Sequence, residues 1–481
     1  MRQRKQNLDR FDGYVMNDIP IRLIRLSDMK FVGRGDVRKH FRSSVEHSYS
    51  YYPHEHVKYA ILSHRWLDGG EPTYEEMKAG TASGPGYEKL KKFCEKAREY
   101  DTEFAWSDTC CIDKSSSTEL DESIRSMFRW YENSTICIVH LAQSKTIEGI
   151  LHDEWTRRVW TLQELLAPRN IKIFNKYWIP LTGHRNDKED QESKVMETLE
   201  TATGIPRCDL YSFSPHFLPQ RLDERMAWAA RRKATRVEDV AYSLMGIFDV
   251  SLQIAYGEGG DRAFRRLIDA IMQDGDPSIL NWVGNHAPFS VSRAVPYSPE
   301  SFVGSRNVML DIFTQPLEMN MTSLGLRVSL VILPLSYHSH EEQGPLRLHV
   351  VLGCPLCPTI KVDINPLAHA LEWQHLSQFE YALGIVNYSL FSERSRKVLG
   401  IRGKSVGLIL YRNSCSSSSL SSLICNPRGT DFVGFKFASP PEETSRWELL
   451  HGVGLIEVEF PNIPSESLFF IDPEYLETVH L

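Results

Sequence analysis

Short apolar runs alternate with amphipathic stretches through residues 58–174. Tyr59-Ala60-Ile61-Leu62 is continuously apolar and ends in Ser63-His64-Arg65-Trp66, as a buried strand running out into a loop would. Gly69-Gly70 and Glu71-Pro72 mark that loop as irregular. Over Tyr87–Tyr100 the apolar positions Tyr87, Leu90, Phe93, Cys94 and Ala97 recur at helical spacing with Lys and Glu between them. Phe104-Ala105-Trp106 predicts a second strand, ending at Ser107-Asp108. Leu120, Ile124, Met127, Phe128 and Tyr131 form the stripe of another helix, for which Thr118 and Asp121 suggest a capping pair. Thr135–Leu141 is a third, β-branched strand. A short helix near Trp160–Leu166 is stopped by Pro168, and Ile171–Phe174 is a fourth strand. This βαβαβ(α)β order predicts an α/β fold with a parallel sheet and helices on both faces. In a flavodoxin-like strand order the site lies at the carboxyl ends of the central strands, which here carry Ser63-His64 and Ser107-Asp108.

The pattern divides the chain into four regions. Residues 1–56 form an N-terminal extension with one strand, Ile21–Leu26, and 57–185 form the α/β domain. Residues 186–295 are a helical region, marked by Met226, Ala229 and Ala230, by Val237, Ala241, Leu244, Met245 and Phe248, and by Phe264, Leu267, Ile268 and Ile271. Residues 296–481 are a β-rich C-terminal domain, with strand-like segments at Leu326–Leu333, Leu346–Gly353, Thr359–Ile364, Val406–Tyr411, Phe432–Phe437 and Gly454–Phe460. The serine cluster Ser414–Ser422 is expected to be an exposed loop.

Composition narrows the classes. The 481 residues carry a formal net charge of -7, which argues against a chain built to grip nucleic acid. Two basic clusters, Arg231-Arg232-Lys233 and Arg262, Arg265 and Arg266, read as solvated helix faces. No apolar run reaches the length of a membrane span, and the polar N-terminus does not resemble a signal peptide, so a cytoplasmic protein is expected. The 9 cysteines are odd in number, and several fall inside predicted core elements, as in a reducing compartment. Cys354 and Cys357 form a lone CxxC, read as a strand-end turn, and no metal site is expected. No GxxxxGK, HExxH or GxSxG motif is present.

Three segments resemble the defining blocks of the fungal heterokaryon-incompatibility (HET) domain family. They are Tyr59-Ala60-Ile61-Leu62-Ser63-His64-Arg65-Trp66, Trp106-Ser107-Asp108-Thr109-Cys110-Cys111-Ile112-Asp113-Lys114 and Arg158-Val159-Trp160-Thr161-Leu162-Gln163-Glu164-Leu165-Leu166, with Ser126–Tyr131 between the last two. Arg65, Leu67, Ser107 and Val159 depart from the residues usual in that family. HET domains are similar to TIR domains, which implies a flavodoxin/TIR-like sheet and a role in programmed cell death or innate immune signalling. Some TIR domains cleave NAD with the glutamate of a Trp-x-x-x-Glu pattern, and Trp160 and Glu164 have that spacing.

The resemblance therefore implies Glu164 as a catalytic carboxylate and NAD as a substrate, with no tightly bound cofactor. Cleaving the nicotinamide–ribose bond releases a neutral ring, so the main demand is to stabilise positive charge on the ribose. Ser63 and His64 are placed to hydrogen-bond a phosphate or ribose. Trp66 can stack on a flat heterocycle, and Asp108 can bind ribose hydroxyls. Each has a plainer reading: Glu164 as a partner of Arg157 or Arg158, His64 as a satisfied structural histidine, Trp66 as a loop anchor and Asp108 as a turn cap. Asp113 and Lys114 are expected to pair within their loop, Trp160 to lie in the core, and Cys110 and Cys111 to be buried. The alternative function is a non-enzymatic module acting by self-association or by contact with other cell-death signalling proteins.

Overall fold

The structure, a computed structural model, describes residues 2–47, 52–216, 221–287, 292–308, 310, 315–342, 348–354, 357–364, 373–393, 396–413, 447–450, 452–460 and 463–481. It divides into two compact units, Met1–Phe217 with Arg231–Leu267, and Leu218–Ala230 with Ile268–Leu481.

The first unit is an α/β layer structure. In chain order its first elements are α1 (Arg2–Asn17), β1 (Arg22–Arg25), β2 (Lys30–Gly33), α2 (Arg34–His47), β3 (Tyr59–His64), α3 (Tyr74–Ala79), α4 (Pro85–Arg98), β4 (Phe104–Trp106), α5 (Ser117–Glu132), β5 (Ile136–His140), α6 (Thr161–Leu166) and β6 (Ile171–Phe174). One sheet runs in the order β2-β1-β4-β3-β5-β6. β3 is parallel to β4 and β5, and β5 is parallel to β6. β1 is antiparallel to both β4 and β2.

The wholly parallel sheet expected from the helix–strand alternation is thus a mixed, mostly parallel one. Only the short turn Leu26–Met29 separates β1 from β2, and a connection that short permits antiparallel pairing alone. The segment read as an extension with one strand supplies two strands to the main sheet.

All of β3, β4 and β5 is buried, as strands covered on both faces must be. Alternate residues of β3 face different helices. Ser63 reaches α6 on one side, while His64 lies beside Lys89 of α4 on the other. Helix α5 starts at Ser116, whose hydroxyl accepts from the Glu119 amide. Thr118 and Asp121 are not the cap; Asp121 instead accepts from the Ile254 amide at 3.1 Å. Phe104, Trp106, Trp130 and Tyr131 fill the space between sheet and helix, with Trp106 edge-on to Trp130 at 5.7 Å.

The helical middle is made of short pieces. Lys194–Thr203, Arg207–Tyr211 and Asp239–Tyr242 lie in the first unit and Leu222–Ala229 in the second, followed by Gly260–Met272. Val237 does not join the apolar stripe assigned to it, being 60% exposed. Ala241, Leu244, Met245 and Phe248 are buried as expected.

The second unit is β-rich beyond residue 318. Gly325–Glu342 is a long central strand of a nine-stranded sheet, with Leu348–Cys354, Phe379–Ile385 and Leu476–His480 among its partners. A three-stranded sheet joins Ser389–Glu393, Arg396–Arg402 and Leu468–Ile471. Segments expected near 326, 346, 359, 406 and 454 are strands. Phe432–Phe437, Ser414–Ser422 and the Pro355-Leu356 turn lie outside the described residues. Among the described residues, no helix is long and apolar enough to cross a membrane.

Gly246 packs where no side chain fits, because a Cβ there would stand 2.2 Å from Cβ of Phe128 on α5. Gly246→Ala is expected to lower the stability of the first unit by about 1–3 kcal/mol, the usual cost of overpacking. Thermal unfolding of the purified chain checks this, and an unchanged midpoint would show that α5 yields freely.

Candidate active site at the strand ends

β3 ends in two adjacent polar residues that face opposite sides of the sheet, and each organises one half of the site. On the α6 side the Ser63 hydroxyl donates to Glu164 Oε2 at 2.5 Å. It also accepts from the indole N–H of Trp155 at 2.8 Å. Ser63, Trp155 and Glu164 are all buried, with 7% of Glu164 exposed.

Trp155 is delivered by a built loop. Asp153, itself buried, caps the turn Glu154–Arg157 by accepting from the Trp155 amide at 3.0 Å. Its other oxygen accepts from the Ser144 amide at 3.0 Å and the Ser144 hydroxyl at 2.7 Å. The tryptophan that matters to the site is therefore Trp155. Trp160, which was expected in the core, is half-buried and hydrogen-bonded to Asp239.

On the α4 side His64 Nε2 lies 3.1 Å from Asp108 Oδ1. Its Nδ1 lies 3.8 Å from Glu71, which forms a short ion pair with Lys89 of α4. The other Asp108 oxygen accepts from the Trp66 indole at 2.8 Å. Trp66 is 40% exposed, and the Lys114 ammonium sits 4.0 Å from its ring centre. Lys114 thus belongs to the site and does not pair with Asp113, whose carboxylate accepts from Ser115 instead.

The two halves meet electrostatically. Burial, reinforced by the charge of Asp108, pushes the Glu164 carboxyl up to about 8, against the opposing pull of Ser63, Arg158 and Arg232. Burial also pushes Asp108 upward, but hydrogen bonds from His64 and Trp66 with the charges of His64 and Lys114 outweigh it and hold that carboxyl at about 2. One carboxyl is held neutral at neutral pH and the other ionised. Environments that drive two acids apart in this way are common at functional sites. Burial and the Lys89 ammonium lower His64, against the opposing pull of Asp108 and Glu71.

Ser63, His64, Trp66, Asp108 and Glu164, the five residues singled out from sequence, are joined by these contacts. Trp155, Glu71, Lys89, Lys114 and His140 were missed. His140 ends β5 in register with His64 and stacks on Trp178 at 4.3 Å. Burial, reinforced by the charges of Lys89 and His64, pushes its ring down to about 3. Its place at a parallel strand end beside His64 was the available signal. Trp155 lay in an irregular loop whose course depends on Asp153, which no periodicity reveals. Cys110 and Cys111 are buried as expected, and the Cys110 thiol is raised by its contact with Cys111 and by burial. Neither thiol is a ready nucleophile. Among the described residues no group of three or more His, Cys, Asp or Glu could hold a metal.

Residues 59–149 match the family model for the heterokaryon incompatibility protein (HET). The chain carries a HET domain. It is 42% identical over 230 residues to the vegetative incompatibility protein HET-E-1 of Podospora anserina, an alignment that covers 45% of this chain and 16% of that protein. The chain therefore spans a small part of that relative. No solved structure matches the chain. The family match ends before Trp155 and Glu164, so of the three side chains on the α6 side only Ser63 lies within the matched residues.

The protonated Glu164 ties stability to pH. Its carboxyl titrates near 8 when folded and near the ordinary 4.5 when unfolded, so its contribution is complete below about 4.5 and is lost as pH rises through about 8. Wild type is expected to lose a few kcal/mol relative to Glu164→Gln between pH 5 and pH 8, measured by denaturant unfolding. Parallel pH profiles for the two proteins would mean that Glu164 is ionised in the fold.

Proposed function

We propose that the HET domain is an effector of incompatibility-type programmed cell death that binds NAD and hydrolyses its nicotinamide–ribose bond. The reading rests on one observation: a buried carboxyl, Glu164, is positioned by Ser63 and Trp155 at the end of a central parallel strand. The four parallel strands, numbered from β3 in chain order, run 2-1-3-4 across the sheet, which supports a flavodoxin/TIR-like reading of the fold.

In the reaction NAD and water give ADP-ribose, nicotinamide and a proton. The bond between ribose and ring nitrogen breaks, and both its electrons leave with nicotinamide, which departs neutral. The cationic ring lowers the cost of ionising Glu164, whose proton passes to solvent, and the resulting carboxylate stabilises positive charge on the ribose until the adding water returns a proton to it. Water then adds to the ribose carbon. Asp108, already ionised and partly exposed, suits the ribose hydroxyls, with His64 orienting it. Trp66 offers an aromatic face to a flat ring, while Lys114 beside it offers a cation to phosphate.

A second reading follows from the closure of the site. Glu164 is only 7% exposed and Lys114 covers part of Trp66. A HET domain whose strand ends are filled by its own side chains can act without chemistry, through self-association or contact with other cell-death signalling proteins. Under either reading the protein works in the cytoplasm, with Cys94, Cys110, Cys111 and Cys137 as reduced core residues.

The deciding experiment follows nicotinamide release from NAD by the purified full chain and by Glu164→Gln, with and without a crowding agent. Release by wild type, reduced about 100- to 1,000-fold in an equally folded Glu164→Gln, is expected. No release by wild type in either condition would favour the binding-module reading.

A further inference from the structure

The basic cluster Arg231-Arg232-Lys233, read from sequence as a solvated face, does not behave as one. Arg232 is buried at 7% exposure. Its guanidinium donates to the Arg158 carbonyl and to the Thr161 hydroxyl, both at 3.0 Å. The backbone beside it is docked as well. Lys233 forms a parallel β-bridge with Arg158, donating to the Arg157 carbonyl at 2.6 Å and accepting from the Val159 amide at 3.1 Å. Residues 157–161 are the entry to α6, the helix that carries Glu164.

A buried arginine is costly unless its donors are met and an opposite charge lies near. Here two donors are met at the start of α6, and Glu164 lies close enough that its charge favours the charged guanidinium. The effect is reciprocal, since Arg232 and Arg158 both favour the ionised carboxylate. The other groups facing Glu164 are Ser63 from β3, Asp108 after β4, Tyr131 from α5 and Cys137 from β5. Among these Asp108 opposes ionisation and Ser63 assists it.

We infer that Arg232 is a positioning residue for Glu164, locked onto the entry of α6 by a segment downstream of residues 59–149, the stretch that matches the HET family model. The working unit of this HET domain consequently extends at least to residue 233. A fragment ending near residue 200 lacks both the strap on α6 and the cation that eases ionisation of Glu164. The inference rests on the proposed NAD chemistry only where a rate is measured.

The test uses the full chain and Arg232→Gln, with folding checked by thermal unfolding. Carbon-13 NMR of labelled glutamate side chains, assigned with Glu164→Gln, follows the Glu164 carboxyl through pH. Arg232→Gln is expected to move its midpoint upward and to move the acid limb of nicotinamide release with it. The release rate then falls about tenfold or more at pH 7 and recovers at high pH, since ionisation falls tenfold per pH step below the midpoint. Arg232→Lys, which keeps the charge, is expected to keep most of the limb. A midpoint unmoved in folded Arg232→Gln would overturn the inference.

If Arg232→Gln does not fold, the wild type still decides. The guanidinium nitrogens of Arg232, assigned with Arg232→Lys, are expected to titrate with the Glu164 midpoint and to lose that titration in Glu164→Gln. Guanidinium signals indifferent to Glu164 would overturn the inference. A shifted carboxyl midpoint without any nicotinamide release would instead retain Arg232 and discard the NAD chemistry.

Discussion

Removing the Glu164 carboxyl from water is the constraint around which the first unit is arranged. A carboxylate in that position would be expensive, so its surroundings must either keep it neutral or supply charge and hydrogen bonds. They do both in part. Ser63 donates to it, Trp155 orients Ser63, Asp153 fixes the turn that delivers Trp155, and Arg232 pins the helix it stands on. None of these residues neighbours Glu164 closely in sequence, and Ser63 is 101 positions away. The sheet makes the meeting possible, because β3 runs through the buried middle and ends at the start of the site.

The same strand end explains the second half. Side chains alternate along a strand, so Ser63 and His64 face opposite helices. One side excludes water around a neutral acid. The other holds an ionised Asp108 between His64 and Trp66, with the Glu71–Lys89 pair behind His64. A site with one proton-holding and one ionised carboxyl can meet a cationic nicotinamide ring with a fixed charge on one side and a releasable proton on the other. This division of labour gives the NAD proposal its physical content, beyond the family membership of the HET domain.

Much of this was legible in the sequence where periodicity and strand ends carry the information. β3, β4, β5 and β6, with α4 and α5 between them, fall where apolar runs and helical stripes place them, and five site residues lie at or near strand ends or on α6. What escaped lacks a local pattern. β1 falls inside the expected strand Ile21–Leu26, but the four-residue β2 carries no separate signal, and without it the antiparallel edge stays hidden. Trp155 depends on a capped turn, Lys114 on a cation over an aromatic ring, and Arg232 on a bridge to a segment more than 70 positions away. Charge runs are usually solvated, and Arg232 is the exception because residues 157–161 present acceptors that a guanidinium can meet.

In the proposed reaction Glu164 rests protonated and gives up its proton when the cationic nicotinamide ring arrives. Infrared difference spectra of the full chain at neutral pH, recorded on mixing with NAD, read this directly. Loss of a protonated-carboxyl band and gain of a carboxylate band, both missing in Glu164→Gln, are the expected result. Spectra without those changes, or with the same changes in Glu164→Gln, would contradict it.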